Sequence, residues 1–216
     1  MEQLVKVSGV AAPLMRINVD TDQIIPGPEI MASVDESYGR WGTGLFANWR
    51  YSDGAGGAHT PNPDFILNRE PYRRAVILLA DRNFGCGSSR EPAPKALRGF
   101  GFRAVIAPSF GGIFFNNCFR NGVLPVELPI EAVQELARQV ELSQGQGNVG
   151  VDLASQRVSA PDGQQWAFKT PPTMRRMLLE GLDEIGATLA RSAEIEGFRV
   201  RDRGRRPWAY GPGLDH

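Results

Sequence analysis

Three short apolar runs, AVILLA (75–80), RAVIAPSF (103–110) and VLPVEL (123–128), constrain the fold more than any other feature of the chain. AVILLA is too short for a core helix and shows no polar alternation, the pattern of a strand buried on both faces. Such strands need cover above and below, and helical segments lie between the runs. One is expected over 93–99. The next, GGIFFNNCFRNG, places Ile113, Phe114, Asn117 and Cys118 near one face, with Gly122 positioned to end it. Strand–helix–strand–helix–strand predicts an α/β fold: a mostly parallel core sheet with flanking helices and right-handed crossovers.

The rest of the chain fits around this unit. PIEAVQELARQVELSQG (129–145) is the clearest amphipathic helix, with proline early and glycine soon after its end. VGVDLASQRVSAPDGQQWAFK alternates apolar and polar residues about PDG (161–163), as a small β hairpin or meander does. PPTMRRMLLEGLDEIGATLARSAEIEGF reads as helical with breaks near Gly181 and Gly186. The section up to about Pro63 reads as loop-rich, because prolines in NVDTDQIIPGPEI (18–30) exclude a helix interior. Five aromatics there, Tyr38, Trp41, Phe46, Trp49 and Tyr51, either pack this loop onto the body or meet a partner. The glycine-rich stretch 52–63 is expected to be mobile. A single domain over 1–198 and an Arg/Pro/Gly-rich tail over 199–216, disordered or partner-docking, complete the expected organisation.

Charge and composition narrow the function classes. Basic and acidic residues balance, 24 against 24, so no global field recruits nucleic acid or a membrane surface. No run of about 18 apolar residues is present and the N-terminus lacks a signal peptide's long apolar segment, so the cytoplasm is expected. Two cysteines, Cys86 and Cys118, are expected to be reduced thiols. With two histidines, His59 and His216, they show no ligand spacing, and a cluster needing about four thiolates has no ligand set in this chain, so no metal site is assigned to it.

The first apolar run opens directly into NFGCGSSREPAPKAL (83–97). As pure structure, Ser88-x-x-Glu91 is a capping-box pattern. Pro92 fits better at the first helical position, with Glu91 as cap and 87–90 extended. As a phosphate cradle, the strand, glycine turn and helix start are suitable, but Arg90 stands where GxGxxG needs its third glycine. An anion site of unspecified kind survives, in which Arg90 offers a bidentate contact to carboxylate or phosphate. A nucleophilic Cys86 needs a base or a cationic field, and the histidine for it is His59, in the stretch read as mobile. The remaining reading is a serine used as acid or base beside a carboxylate substrate.

NVDTDQIIP, LFANWR, PNPDFILN, LLADRNFGCGSSRE, VIAPSF and GVLPV, in this order from about Val7 to Thr188, closely resemble the small subunits of 3-isopropylmalate dehydratases, of the aconitase superfamily. The resemblance implies the swivelling β/β/α domain of aconitase type and a hydro-lyase of leucine biosynthesis. It also implies a dicarboxylate substrate, 2-isopropylmalate, converted to 3-isopropylmalate through 2-isopropylmaleate. It further implies activity only with a large subunit that carries a [4Fe–4S] cluster. Carried over by motif, Ser88 is the catalytic serine and Arg90 the arginine that binds a substrate carboxylate. Ser89 and Gly87 line the pocket, and Asp20, Thr21 and Asp22 lie at its edge. Two positions depart from the family pattern. Pro92 follows SSRE where a histidine is usual, and Arg40 in YGRWGTGLF lies one or two residues from the arginine of the specificity loop. Related hydro-lyases acting on citramalate- or dimethylmalate-like diacids, and a non-enzymatic anion-binding module, are the alternative readings.

Overall fold

The computed structural model describes residues 1–33, 38–88 and 90–210. Strand β1 (Lys6–Gly9) is separated by the single residue Val10 from β2 (Ala11–Leu14). The three apolar runs become β3 (Ile77–Ala80), β4 (Ala104–Ala107) and β5 (Leu124–Glu127). They join β2 in a four-stranded parallel sheet of order β2-β3-β4-β5, with Leu79 opposite Ile106 and Ile106 opposite Val126. Helices α1 (Thr21–Ile24), α2 (Gly27–Met31), α3 (Tyr38–Thr43) and α4 (Ala47–Arg50) lie between β2 and β3. Helix α5 (Pro92–Phe100) connects β3 to β4, α6 (Gly112–Arg120) connects β4 to β5, and α7 (Ile130–Leu142) follows β5.

A second, antiparallel sheet of order β1-β6-β7-β8 is the expected meander, β6 (Val149–Asp152), β7 (Arg157–Ser159) and β8 (Gln165–Ala167), joined by the N-terminal strand β1. Gly163 at the PDG turn takes φ +91° and links β7 to β8. Helices α8 (Pro172–Glu180), α9 (Glu184–Leu189) and α10 (Ser192–Arg205) end the chain. A break falls at Gly181, as the sequence predicts, but Gly186 lies inside α9, where its N–H is taken by the Asp183 cap. Residues 199–205 continue α10. Asp202 there binds Arg206 through Nε at 2.8 Å and Nη2 at 2.7 Å, and accepts from the Tyr210 hydroxyl at 2.9 Å. Residues 211–216, with His216, lie outside the described residues.

Both faces of the parallel sheet are buried, as continuous apolar strands require. Ile77, Leu79, Ile106 and Val126 face one core with Val133 and Leu136 of α7 and Val149, Val151 and Val158 of the second sheet. Leu78, Ala80 and Val105 face the other with Ile24, Phe46, Phe84, Leu97 and Phe102. Trp41, Phe46 and Tyr51 are buried and Trp49 is half-buried, so these aromatics pack the N-terminal section onto the body. The side chain of Tyr38 lies outside the described residues.

The loop-rich reading of the first section is corrected. It contains β1, β2 and four short helices, and β2 escapes a pattern search because Pro13 sits within it. Proline is tolerated there because β2 is the edge of its sheet. Stretch 52–63 is also more ordered than its glycines suggest. The Ser52 N–H donates to the Thr60 carbonyl at 2.9 Å, and buried Glu29 accepts from the Gly56 N–H and from His59 Nε2, both at 2.8 Å.

Helix α3 seats on α5 at Gly42, where a side chain would overlap the backbone of Gly99 and Phe100. Gly42→Ala is expected to force the helices apart at a cost of about 2–3 kcal/mol. That corresponds to a fall in Tm of about 4–12 °C for a domain of this size. Calorimetry checks it, and an unchanged Tm would show that this close approach does not hold α3 in place.

Candidate active site

The candidate residues converge at the carboxyl end of the parallel sheet, where open α/β sheets bind ligands. Past their last sheet residues, three neighbouring strands keep pairing as loops. The N–H groups of Asn18, Gly85 and Thr21 donate to the carbonyls of Arg82 (3.0 Å), Val19 (2.7 Å) and Cys86 (3.0 Å), joining the extension of β2 to that of β3. On the other side, the Phe84 N–H donates to Ser109 at 3.1 Å and the Gly111 N–H to Phe84 at 2.9 Å. Gly85, at φ +72°, is obligatory in this weave, because a side chain there would overlap the ring of Phe114.

Helix α1 is fixed to the same turn. Asp20 caps it, accepting from the Gln23 N–H at 2.7 Å while Gln23 Oε1 accepts from the Asp20 N–H at 3.0 Å. The Thr21 hydroxyl donates to the Ser88 carbonyl at 3.1 Å, and the Arg90 N–H donates to the same oxygen at 2.9 Å. Gly87, at φ +89°, leads into Ser88, and both are exposed. One N–H-bearing nitrogen of the Arg90 guanidinium, Nη2, lies 2.6 Å from the Asp22 carboxylate. The fold therefore assembles Asp20, Thr21, Asp22, Gly87, Ser88 and Arg90. Ser89 lies outside the described residues. Arg40 is not joined to this group by any contact among the described residues. Its Nε donates to the Ala32 carbonyl at 3.4 Å, while the next residue, Trp41, lies under Lys95 of α5, with Nζ 5.8 Å from the ring centroid.

The family profile described as the aconitase C-terminal domain matches residues 1–131. The 3-isopropylmalate dehydratase small subunit of Cupriavidus necator is 49% identical over 210 residues, covering 97% of this chain and 99% of that protein. The protein of the same name from Rhodospirillum centenum is 46% identical over 211 residues, covering 98% and 100%. The chain belongs to the 3-isopropylmalate dehydratase small-subunit family. Among solved structures, 3-isopropylmalate dehydratase of Methanocaldococcus jannaschii superposes with TM-score 0.62 at 23% identity, covering 89% of this chain and 98% of that one. At that identity the likeness speaks for the aconitase-type fold alone. The curated relatives extend the likeness past Thr188, where the recognisable motifs stop.

The start of α5 is built around two prolines. Pro92 and Pro94 occupy the first and third helical positions, and Glu91 caps the helix without a side-chain bond. The capping-box reading with Ser88 is thus not formed, and Glu91 instead meets Lys95 at 3.2 Å. Neither proline has an N–H, and Ala93 between them donates to the Arg90 carbonyl at 3.2 Å. A phosphate cradle depends on free N–H groups at this position, and the first turn of α5 has almost none to offer.

The thiols are equally unsuited to attack. Burial, with the charge of Asp20 adding to it, pushes the Cys86 thiol up, and complete burial pushes Cys118 well above the usual range. His59, the base a nucleophilic Cys86 would need, is engaged by Glu29 and stacked on Tyr51 at 4.3 Å. Sequence reading missed this Glu29–His59 pair because its members are 30 residues apart with no spacing signature. For an iron–sulfur cluster the donor set of this chain does not fit: the sequence holds two cysteines, and among the described residues no three His, Cys, Asp or Glu side chains converge on one point. Among the described residues no helix is long and apolar enough to cross a membrane.

A thiol raised in pKa is a slow nucleophile at neutral pH. Iodoacetamide at pH 7.5 is expected to label Cys86 more slowly than a cysteine in an unstructured peptide, as read by mass spectrometry. Labelling faster than the peptide would restore an activated thiolate.

Proposed function

We propose that this chain is the small subunit of a 3-isopropylmalate dehydratase and that Ser88 and Arg90 are its contribution to an active site shared with a large subunit. The observation that carries this reading is the presentation of Ser88. Its carbonyl is held by two donors, the Thr21 hydroxyl and the Arg90 N–H, while the residue itself is exposed two positions before Arg90. A hydroxyl on a fixed backbone next to a carboxylate-binding cation is the equipment for moving a proton on a carbon adjacent to a carboxylate.

In the first half of the reaction Ser88 takes a proton from the methylene carbon of 2-isopropylmalate while the hydroxyl leaves the neighbouring carbon, giving 2-isopropylmaleate. In the second half water adds to the former methylene carbon and a proton returns to the other. Arg90 holds a substrate carboxylate throughout and fixes the carbon acid relative to Ser88. The [4Fe–4S] cluster that the family resemblance implies is assigned to the large subunit, since the donors of this chain do not fit it.

Magnitudes favour a shared site. A hydroxyl, like water, ionises far above neutral pH, and making its alkoxide near pH 7 takes about 12 kcal/mol. A helix N-terminus supplies at most about 2 kcal/mol, and α5 opens with prolines where its donors belong. Exposure of Ser88 leaves the remaining stabilisation to groups and water exclusion that a partner brings.

The purified chain alone is accordingly expected to show no turnover of 2-isopropylmalate, and co-expression with its large subunit to restore it under anaerobic assay. In the complex, Ser88→Ala is expected to lower kcat by about 10²–10⁴-fold with little change in KM. Arg90→Lys is expected to raise KM and lower kcat together. Turnover by the single chain, or near-wild-type kcat in Ser88→Ala, would defeat the assignment. A panel including citramalate and dimethylmalate ranks the diacid by kcat/KM.

A further inference from the structure

Resting on the reading above, we propose that Asp22 is a positioning residue for Arg90 and not a ligand of the substrate. Three carboxylates surround the turn, and the structure gives each a different partner. Asp20 caps α1 through the Gln23 N–H, Glu91 pairs with Lys95, and Asp22 alone meets the Arg90 guanidinium, at 2.6 Å. Asp22 stands on the first turn of α1, which is tied to the turn by Thr21 at both its N–H and its hydroxyl. The carboxylate is thus delivered to Arg90 from a fixed element.

The chemistry of the contact defines its use. A substrate dicarboxylate repels Asp22, so direct binding between the two is unfavourable. A guanidinium presents five N–H donors in a rigid fork, with Nη2 sharing in both of its bidentate edges. The Asp22 carboxylate pairs with Nη2 by charge, which draws the guanidinium to that side and leaves its other edge for a substrate carboxylate. Arg90 is 29% exposed and Asp22 55% exposed, so a long side chain without this anchor would sample several rotamers. Pairs this exposed are worth at most about a fivefold change in an equilibrium, and that sets the size of the effect.

The test is a double-mutant cycle in the reconstituted complex. Asp22→Ala is expected to raise KM for 2-isopropylmalate about fivefold, with kcat within about twofold and the thermal unfolding curve unchanged. Asp22→Glu keeps the charge that pairs with Nη2 and is expected to recover most of the loss, whereas Asp22→Asn is expected to behave like Asp22→Ala. In an Arg90→Lys background, Asp22→Ala is expected to change KM less than about twofold, because its target is gone. A fall in KM in the single Asp22→Ala variant would make Asp22 a competitor for Arg90 and overturn the proposal. An unchanged KM, or the same fivefold rise in both backgrounds, overturns it equally. If Arg90→Lys by itself alters neither KM nor kcat, the carboxylate-binding role of Arg90 fails first and the positioning role falls with it.

Discussion

The continued pairing of strand extensions beyond the parallel sheet is the constraint on which the rest of the structure depends. Residues 83–88 form a glycine-rich turn anchored in the core at Phe84, and such a segment costs much conformational entropy to hold. It is held because the extension of β2 donates and accepts on one side and that of β4 on the other, while Phe114 closes over Gly85. Helix α1 is a product of the same pairing, since Thr21 reaches Cys86 with its N–H as α1 begins. Ser88 hangs on the β2 extension directly, through Thr21, and on that of β4 indirectly, through Phe84. Placement of one exposed residue is thus a property of the whole sheet.

This arrangement also decides among the chemistries that a glycine–serine turn offers. A turn that opens a helix usually offers the helix N–H groups to an anion. Here Pro92 and Pro94 remove two of them and the Arg90 carbonyl occupies the third. What remains to attract a negative charge is Arg90, whose charge is delivered by a side chain and directed by Asp22. A flat, bidentate guanidinium suits carboxylate and phosphate alike, so what this turn lacks is only the set of helix N–H groups on which a phosphate cradle depends.

Legibility in the sequence followed interaction range. β3, β4 and β5 announce themselves because a strand buried on both faces has no polar positions, and α6 and α7 because their periodicity is local. Pro92 at the start of α5 was readable for the same reason: its ring and missing N–H act within one turn. β2 was not readable, since its identity comes from pairing with residues more than sixty positions away and Pro13 argues locally against a strand. The order of 52–63 was hidden for the same reason, because its anchor is Glu29, a buried carboxylate in another helix. Ser88 and Arg90 were marked by motif resemblance and not by geometry. Asp22 was named by the same motif, but its partner became visible only once α1 and the turn were side by side. Arg40, set by the motif near the substrate, is exposed and donates through Nε to the Ala32 carbonyl at the end of α2.

The incompleteness of the site follows from what this chain does and does not bury. The sheet buries both its faces fully, yet the groups proposed for chemistry, Ser88 and Arg90, stand at its rim, exposed or half-buried. Electrostatic stabilisation is strong only where water is excluded, and a rim cannot exclude it. A serine that must act as a base has to be covered at the moment of reaction, yet it must be open for a diacid to enter and leave. A separate domain that carries the serine and arginine on a rigid sheet edge, and closes against a partner that carries the remaining groups, meets both requirements. The rigidity of the weave and the exposure of Ser88 are therefore two halves of one design: the turn has to arrive at its partner already ordered, because a closing surface can dehydrate a preformed pair but cannot also build it.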